Sequence, residues 1–158
     1  MSQIHAEASS IIDGRPEEIY AILADYHKGH PAILPKPYFT ELTVKEGGTG
    51  AGTVIRVGMK VMGVERNYEM EVSEPEPGRV LVETDKEAGV VTTFTVEPLN
   101  DGQQTRVTIA TDVEASPGFV GFVEKLISPS VSRRIYKKEL QQLAEYIHSK
   151  TVSDSGSD

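Results

Sequence analysis

Arg66, Tyr68, Tyr26, His27 and His30 are the side chains whose types and spacing suggest chemistry. Arg66 opens the series Arg66, Tyr68, Met70, Val72, which alternates with Asn67, Glu69, Glu71, Ser73 at the period of a strand. The glutamates prefer water, so the uncharged series and Arg66 with it should face inward. An inward guanidinium must be paired, and it could grip a ligand carboxylate or phosphate in a two-pronged hydrogen bond. The competing reading is a strand-end arginine that reaches solvent or a nearby glutamate. His27 and His30 could exchange protons near neutral pH. Two histidines with no Cys, third His or matching carboxylate nearby do not make a zinc site, so no metal is expected. The plainer reading is a loop at the mouth of a cavity. Tyr26 and Tyr68 are either hydroxyl donors to a ligand or core tyrosines.

Other motifs are excluded. Gly48-x-Gly50 is followed by Thr53 and a strand, not by a third glycine and a helix, so the run 47–52 reads as a hairpin rather than a phosphate loop. No nucleophile elbow, Walker loop or His-Glu-x-x-His motif occurs. The chain has no cysteine, which removes disulfides and thiolate chemistry. No catalytic set and no cofactor are assigned.

These residues must be positioned by short alternating segments. Residues 3–12 read as a first strand with Ile4, Ala6, Ala8, Ser10 and Ile12 on one side. Pro16 suits the first turn of a helix, with Glu17 and Glu18 at its positive end. Ile19, Ile22, Leu23 and Tyr26 give that helix one buried face. Gly29, Pro31, Pro35 and Pro37 make 27–37 irregular, with room for one helical turn. Strands follow around Thr40, Leu42 and Val44, over 53–59 with a reversal at Gly63, over 66–73, at Val80 and Val82, over 90–96, and from Val107 to Val113. Glu74–Gly78 breaks the chain, and Asn100-Asp101-Gly102 signals a hairpin. A long helix then runs over 117–150, broken once at Pro129. Phe119, Phe122, Val123, Leu126 and Ile127 form its first apolar stripe. Tyr136, Leu140, Leu143, Ala144 and Ile147 form the second. Such faces need a large partner, and a curved sheet supplies one. Short connections favour antiparallel pairing, so the architecture is α+β with helices on one face.

Composition bounds the function. The chain has 158 residues, a net charge of −8 and 38% hydrophobic residues. Length fits one domain, 1–150, with 151–158 a disordered polar tail. The acidic balance argues against nucleic acid. No signal peptide or span of about 18 apolar residues is visible, so a cytoplasmic location is the default. Arg133, Arg134, Lys137 and Lys138 form a basic patch, read as a solvated helix face or as a peripheral contact with anionic lipid headgroups.

The order of elements resembles the SRPBCC superfamily, the helix-grip fold of START lipid-transfer domains, birch-pollen-allergen-like proteins and polyketide cyclase/dehydrase-like proteins. Three stretches carry the likeness. Pro16-Glu17-Glu18-Ile19-Tyr20-Ala21-Ile22-Leu23-Ala24-Asp25 is similar to the family's opening, Glu74-Pro75-Glu76-Pro77-Gly78-Arg79 to a turn between central strands, and Ile127-Ser128-Pro129-Ser130 with Arg133-Arg134 to its helix. Many relatives carry a tryptophan after the first helix; here His27-Lys28-Gly29-His30-Pro31 stands instead. The resemblance implies a curved antiparallel sheet of about seven strands wrapped around a long C-terminal helix, with one or two short helices after the first strand. It implies a cavity between sheet and helix, lined by Tyr26, His27, His30, Met59, Arg66, Tyr68, Met70, Phe94, Phe119, Phe122, Val123 and Leu126, with Val96, Ile109, Thr111 and Ile127 as further walls. Met59, Met62 and Met70 suit an adaptable wall. The expected function is binding of a hydrophobic or amphipathic small molecule, lipid or polyketide-like, as carrier or sensor. A cyclase/dehydratase-like enzyme using Arg66, Tyr68, His27 and His30 is the alternative, and a protein-interaction module with a filled core is the third. Ligand identity and oligomeric state are not encoded legibly.

Overall fold

Seven runs of alternating side chains become seven strands of one antiparallel sheet. The computed structural model describes residues 2–115 and 129–155. The strands are β1 (Ser2–Asp13), β2 (Phe39–Glu46), β3 (Val54–Val61), β4 (Val64–Glu76), β5 (Val80–Asp85), β6 (Val90–Leu99) and β7 (Gln104–Ala115). Their order across the sheet is β1-β7-β6-β5-β4-β3-β2. Only β1 leaves its sequence neighbour, to pair with β7. The reason is the insertion of two short helices, α1 (Pro16–Ala24) and α2 (Gly29–Ile33), between β1 and β2. The sheet is curved and open, and a long C-terminal helix, α3 (Pro129–Ser155), packs along β1 and against α2. This is the helix-grip α+β arrangement expected from the sequence.

The core lies between the concave sheet face, α1 and α3. Ile19, Ile22, Leu23 and Tyr26 are buried, as their helical spacing demands. Leu140, Leu143 and Ile147 of α3 are buried with them, and Tyr136 and Ala144 are partly buried. On β4, Val64, Arg66, Tyr68, Met70 and Val72 are the less exposed set, while Glu65, Asn67, Glu69, Glu71 and Ser73 face water. The two-residue period holds from Val64 to Ser73.

Some expectations change. Thr40 is exposed and Phe39 packs on the core instead, because a register shift between Phe39 and Glu41 reverses the phase of β2 at its start. Met62 is 79% exposed and cannot be cavity wall. It sits with Gly63 in the tight β3–β4 turn, both at positive φ (53° and 80°), a geometry that points the side chain away from the sheet. The strand β4 continues through Glu74, Pro75 and Glu76, with a register shift between Ser73 and Glu76 where a break was expected. Pro129 is the first described residue of the C-terminal helix. The helix runs to Ser155, so residues 151–155, expected in a disordered tail, are helical. Phe119, Phe122, Val123, Leu126 and Ile127 lie outside the described residues.

Candidate functional site: a cavity crossed by a buried polar row

Register places three polar side chains in a row across the concave face. Glu83 of β5 is directly opposite Thr92 of β6, and Thr92 is directly opposite Thr111 of β7. Residues opposite one another in an antiparallel pair share a face. All three are buried: Glu83 6% exposed, Thr92 8%, Thr111 3%. The row is bounded by Val72 on β4 and Ala6 on β1. Above it runs α3, whose Tyr136 and Glu139 are three apart and so share one helix face. The Tyr136 hydroxyl bonds the Thr111 hydroxyl, which in turn bonds Thr92 at 2.8 Å.

From the third side comes α2. The Asp25 carboxylate accepts the backbone N–H groups of His27, Lys28 and Gly29, at 3.1 to 3.3 Å, and its carbonyl accepts the His30 N–H at 2.7 Å. This Asx-type turn bends the chain off α1. Gly29 makes the bend possible, since a Cβ there would stand 2.5 Å from the Ile22 carbonyl oxygen. His30, 2% exposed, is thereby driven into the core. Its ring stacks on Tyr26 (centroids 4.5 Å apart) and meets the edge of Phe94.

The proton inventory follows from partners. His30 Nδ1 is 2.7 Å from the Leu23 carbonyl, which only accepts, so Nδ1 carries a hydrogen. His30 Nε2 is 3.3 Å from Glu83 Oε2. A bare Nε2 facing a carboxylate oxygen would be repulsive, so a proton sits between them. The Tyr26 hydroxyl donates to the same Oε2 at 2.7 Å. Burial, and then the Glu83 charge, push the Tyr26 phenol far up, so it stays a donor. Glu139 is different. It is 2% exposed and its Oε1 has no hydrogen-bond partner among the described residues. Burial first, and then Glu83, raise its carboxyl well above the ordinary range.

These groups border a cavity of about 90 Å³. His30, Glu83, Thr92, Thr111, Tyr136 and Glu139 line it together with Met59, Arg66, Tyr68, Met70 and Phe94. Most of the remaining wall is aliphatic, from Leu42, Val57 and Val61 to Val90, Ile109 and Ile135. Of the residues expected to touch a ligand, His30, Met59, Arg66, Tyr68, Met70 and Phe94 are therefore on the wall. Tyr26 is not: fully buried behind it, the phenol is spent on Glu83. His27 is not at the mouth either. It is exposed on the outside of the Asp25 turn, with its ring against Gly48, where a Cβ would lie 2.0 Å from Nε2. The four side chains expected to converge for catalysis thus do not, because His27 points elsewhere. Phe119, Phe122, Val123 and Leu126 fall outside the described residues. Among the described residues no group of three or more His, Cys, Asp or Glu is arranged to hold a metal ion.

Sequence reasoning missed Glu83 and Glu139. In β5 the valines Val80 and Val82 catch the eye, yet Leu81, Glu83 and Asp85 are the buried series. Asp85 is accounted for by the backbone N–H groups of Glu69 and Ala88, which it accepts. Glu139 was hidden in the basic run Arg133–Lys138. The signal was its four-residue spacing from Ile135 and from Leu143, which sets it on the buried face.

Several solved structures share this fold. KanY protein has a TM-score of 0.80 at 28% identity, over 94% of this chain and 99% of that one. The Zhui aromatase/cyclase from Streptomyces sp. R1128 has a TM-score of 0.72 at 16% identity, over 95% and 96%. Norcoclaurine synthase from Thalictrum flavum, in complex with dopamine and hydroxybenzaldehyde, has a TM-score of 0.67 at 14% identity, over 94% and 88%. No curated protein matches the chain. The family model described as polyketide cyclase / dehydrase and lipid transport, however, matches residues 3–148, nearly the whole sheet and helix that enclose the cavity, so the chain belongs to that family within the SRPBCC superfamily.

Proposed function

We propose that the protein binds a hydrophobic or amphipathic small molecule in this cavity, as a carrier or sensor. The observation that carries the reading is an aliphatic and aromatic wall crossed by a row of buried polar groups, the composition of a ligand pocket rather than of a plain core. The family's description, which includes lipid transport, supports it. Size narrows the ligand. About 90 Å³ is several times the roughly 10–15 Å³ that one water needs, and well below the roughly 300–1,000 Å³ of pockets that engulf drug-sized molecules. A ring-sized or short-chain ligand suits it better than a whole acyl lipid. Arg66 of β4 lines the wall and brings a positive charge to the cavity. A contact with membrane lipid through Arg133, Arg134, Lys137 and Lys138, all exposed, is compatible with delivery of such a cargo. No helix among the described residues is long and apolar enough to cross a membrane.

The test is native mass spectrometry of protein purified without detergent, alongside displacement of a fluorescent lipid. A retained apolar compound or competitive displacement is expected. Protein that emerges empty and displaces nothing across a panel of aromatic and short-chain compounds rejects the reading.

A second reading, a cyclase/dehydratase-like enzyme, is favoured by one observation. The His30–Glu83 pair, which shares a proton, and the Glu139 carboxyl bring two buried proton-handling groups to the same cavity. Recovery of a bound compound with water lost or a ring formed would select this reading over simple carriage. A filled-core interaction module is disfavoured by the cavity itself. Ile11 and Met62 are, besides, the exposed large hydrophobic side chains among the described residues, and they form no broad patch.

A further inference from the structure

Glu139 is an anomaly for stability. An acid that is 2% exposed, with one oxygen unpartnered, costs folding free energy that a leucine at the same place would not. Among the described residues its Oε1 meets no hydrogen-bond donor. Glu83 from β5 faces it with like charge, and Glu83 is already engaged by Tyr26 and His30. On its own helix Tyr136 spends its hydroxyl on Thr111, and Thr92 completes that chain. Arg66 and Tyr68 line the same cavity from β4. Among the described residues none is left to partner Oε1, and the cavity that Glu139 lines lies beside it.

We propose that Glu139, as a carboxylic acid, donates a hydrogen bond to a neutral carbonyl oxygen (ketone, ester or amide) of the bound molecule, and so selects carbonyl-bearing ligands over hydrocarbons of the same shape. The proposal rests on the ligand-binding reading above and deepens it. A ligand carboxylate placed at this point would meet Glu83 and Glu139 together and is rejected there. A carbonyl oxygen supplies the acceptor and brings no charge. The burial that raises the Glu139 carboxyl also keeps the donor hydrogen in place.

Three ring-sized probes of one shape test this: acetophenone, ethylbenzene and protonated 1-phenylethylamine. Binding is measured by NMR titration to the unmodified protein, Glu139→Leu and Glu139→Gln. The unmodified protein should hold acetophenone about tenfold more tightly than ethylbenzene. The carbonyl carbon of bound acetophenone should shift downfield, as it does on accepting a hydrogen bond. Glu139→Leu, which should fold at least as stably, abolishes the preference and the shift while still binding ethylbenzene. Glu139→Gln, whose amide also donates, keeps both in part and makes them independent of pH. In the unmodified protein acetophenone binding weakens as pH rises through the Glu139 titration. An acetophenone-to-ethylbenzene ratio that is the same in the unmodified protein and Glu139→Leu overturns the proposal. So does preferential capture of the amine with affinity rising with pH, which would make Glu139 a carboxylate for cations. If neither neutral probe binds even the unmodified protein, the ligand-binding reading falls and takes this inference with it.

Discussion

Glu83 shows how much one carboxyl can organise. Its Oε2 accepts from Tyr26 and faces His30 Nε2, so the α1–α2 turn and α2 are tied to β5 at a single atom. Glu139, by contrast, has no hydrogen-bond partner for its Oε1 among the described residues, and its protonation makes a clean prediction. A carboxyl raised in the folded state from its ordinary value of 4.5 contributes stability that is fully present below that value. The contribution is lost as pH rises toward the folded value, because the unfolded chain ionises first. Glu139→Gln removes the dependence. Its stability advantage over the unmodified protein should be small at about pH 4 and grow to the order of 1–3 kcal/mol near neutrality. Urea unfolding at a series of pH values reads it. An advantage that shrinks with rising pH would mean that Glu139 is ionised and paired.

Among the elements, the turn between α1 and α2 has the most leverage over the cavity. Asp25 ends the stretch Pro16–Asp25 that resembles the superfamily's opening, and its position in that motif has a physical reason. It closes the turn before α2 through three backbone N–H groups, of which Gly29's is the first of α2, and delivers His30 to the core. The glycine-rich β2–β3 loop then braces the turn, with Gly48 accepting the Tyr26 N–H at 2.8 Å and Gly50 donating to the Ala24 carbonyl at 3.0 Å. Asp25→Ala should cost about 1–2 kcal/mol, the order of the backbone hydrogen bonds it removes. It should also release His30, seen as loss of the ring's stacking shifts on Tyr26 in NMR spectra. Unchanged His30 shifts in a destabilised variant would show that β5 alone holds the imidazole. The helical turn in 27–37 was legible from its glycine and prolines. Its inward direction was not, since that depends on where Ile22 and Leu23 carbonyls stand after α1 has docked.

For the molecule as a whole, three tyrosines link the sheet to the helices: Tyr20 to Glu74, Tyr26 to Glu83, and Tyr136 to Thr111. Burial is the first cause that raises all three phenols, Tyr20 to about 12 and the other two further. The sign is that of a raised group. The stability is complete below the ordinary value of 10.0 and disappears as pH climbs through the folded values. Cooperative unfolding in the window from about pH 10 to pH 12, with tyrosine ionisation seen by ultraviolet absorbance only as the fold is lost, is the expected outcome. Phenolate formation below pH 10 in a still-folded protein would contradict the buried hydrogen bonds.

The chain by itself determined the element order, the phase of β4 and the buried stripe of α3. Each is written in a local period of two or of 3.6 that sterics convert directly into a face. It determined the inward place of Tyr68 and Met70, because glutamates on the alternate positions need water, and left Arg66 open between cavity and solvent. It did not determine which polar residues share the cavity. Glu83, Thr92 and Thr111 become neighbours only through the register of β5, β6 and β7, and Glu139 joins them only when α3 lies across that row. Register is fixed by the sum of many weak cross-strand contacts, so no short stretch of sequence carries it. His27 and His30, three residues apart in one loop, end on opposite sides of the wall for the same reason: a turn closed by Asp25 and packed on α1 decides which imidazole enters.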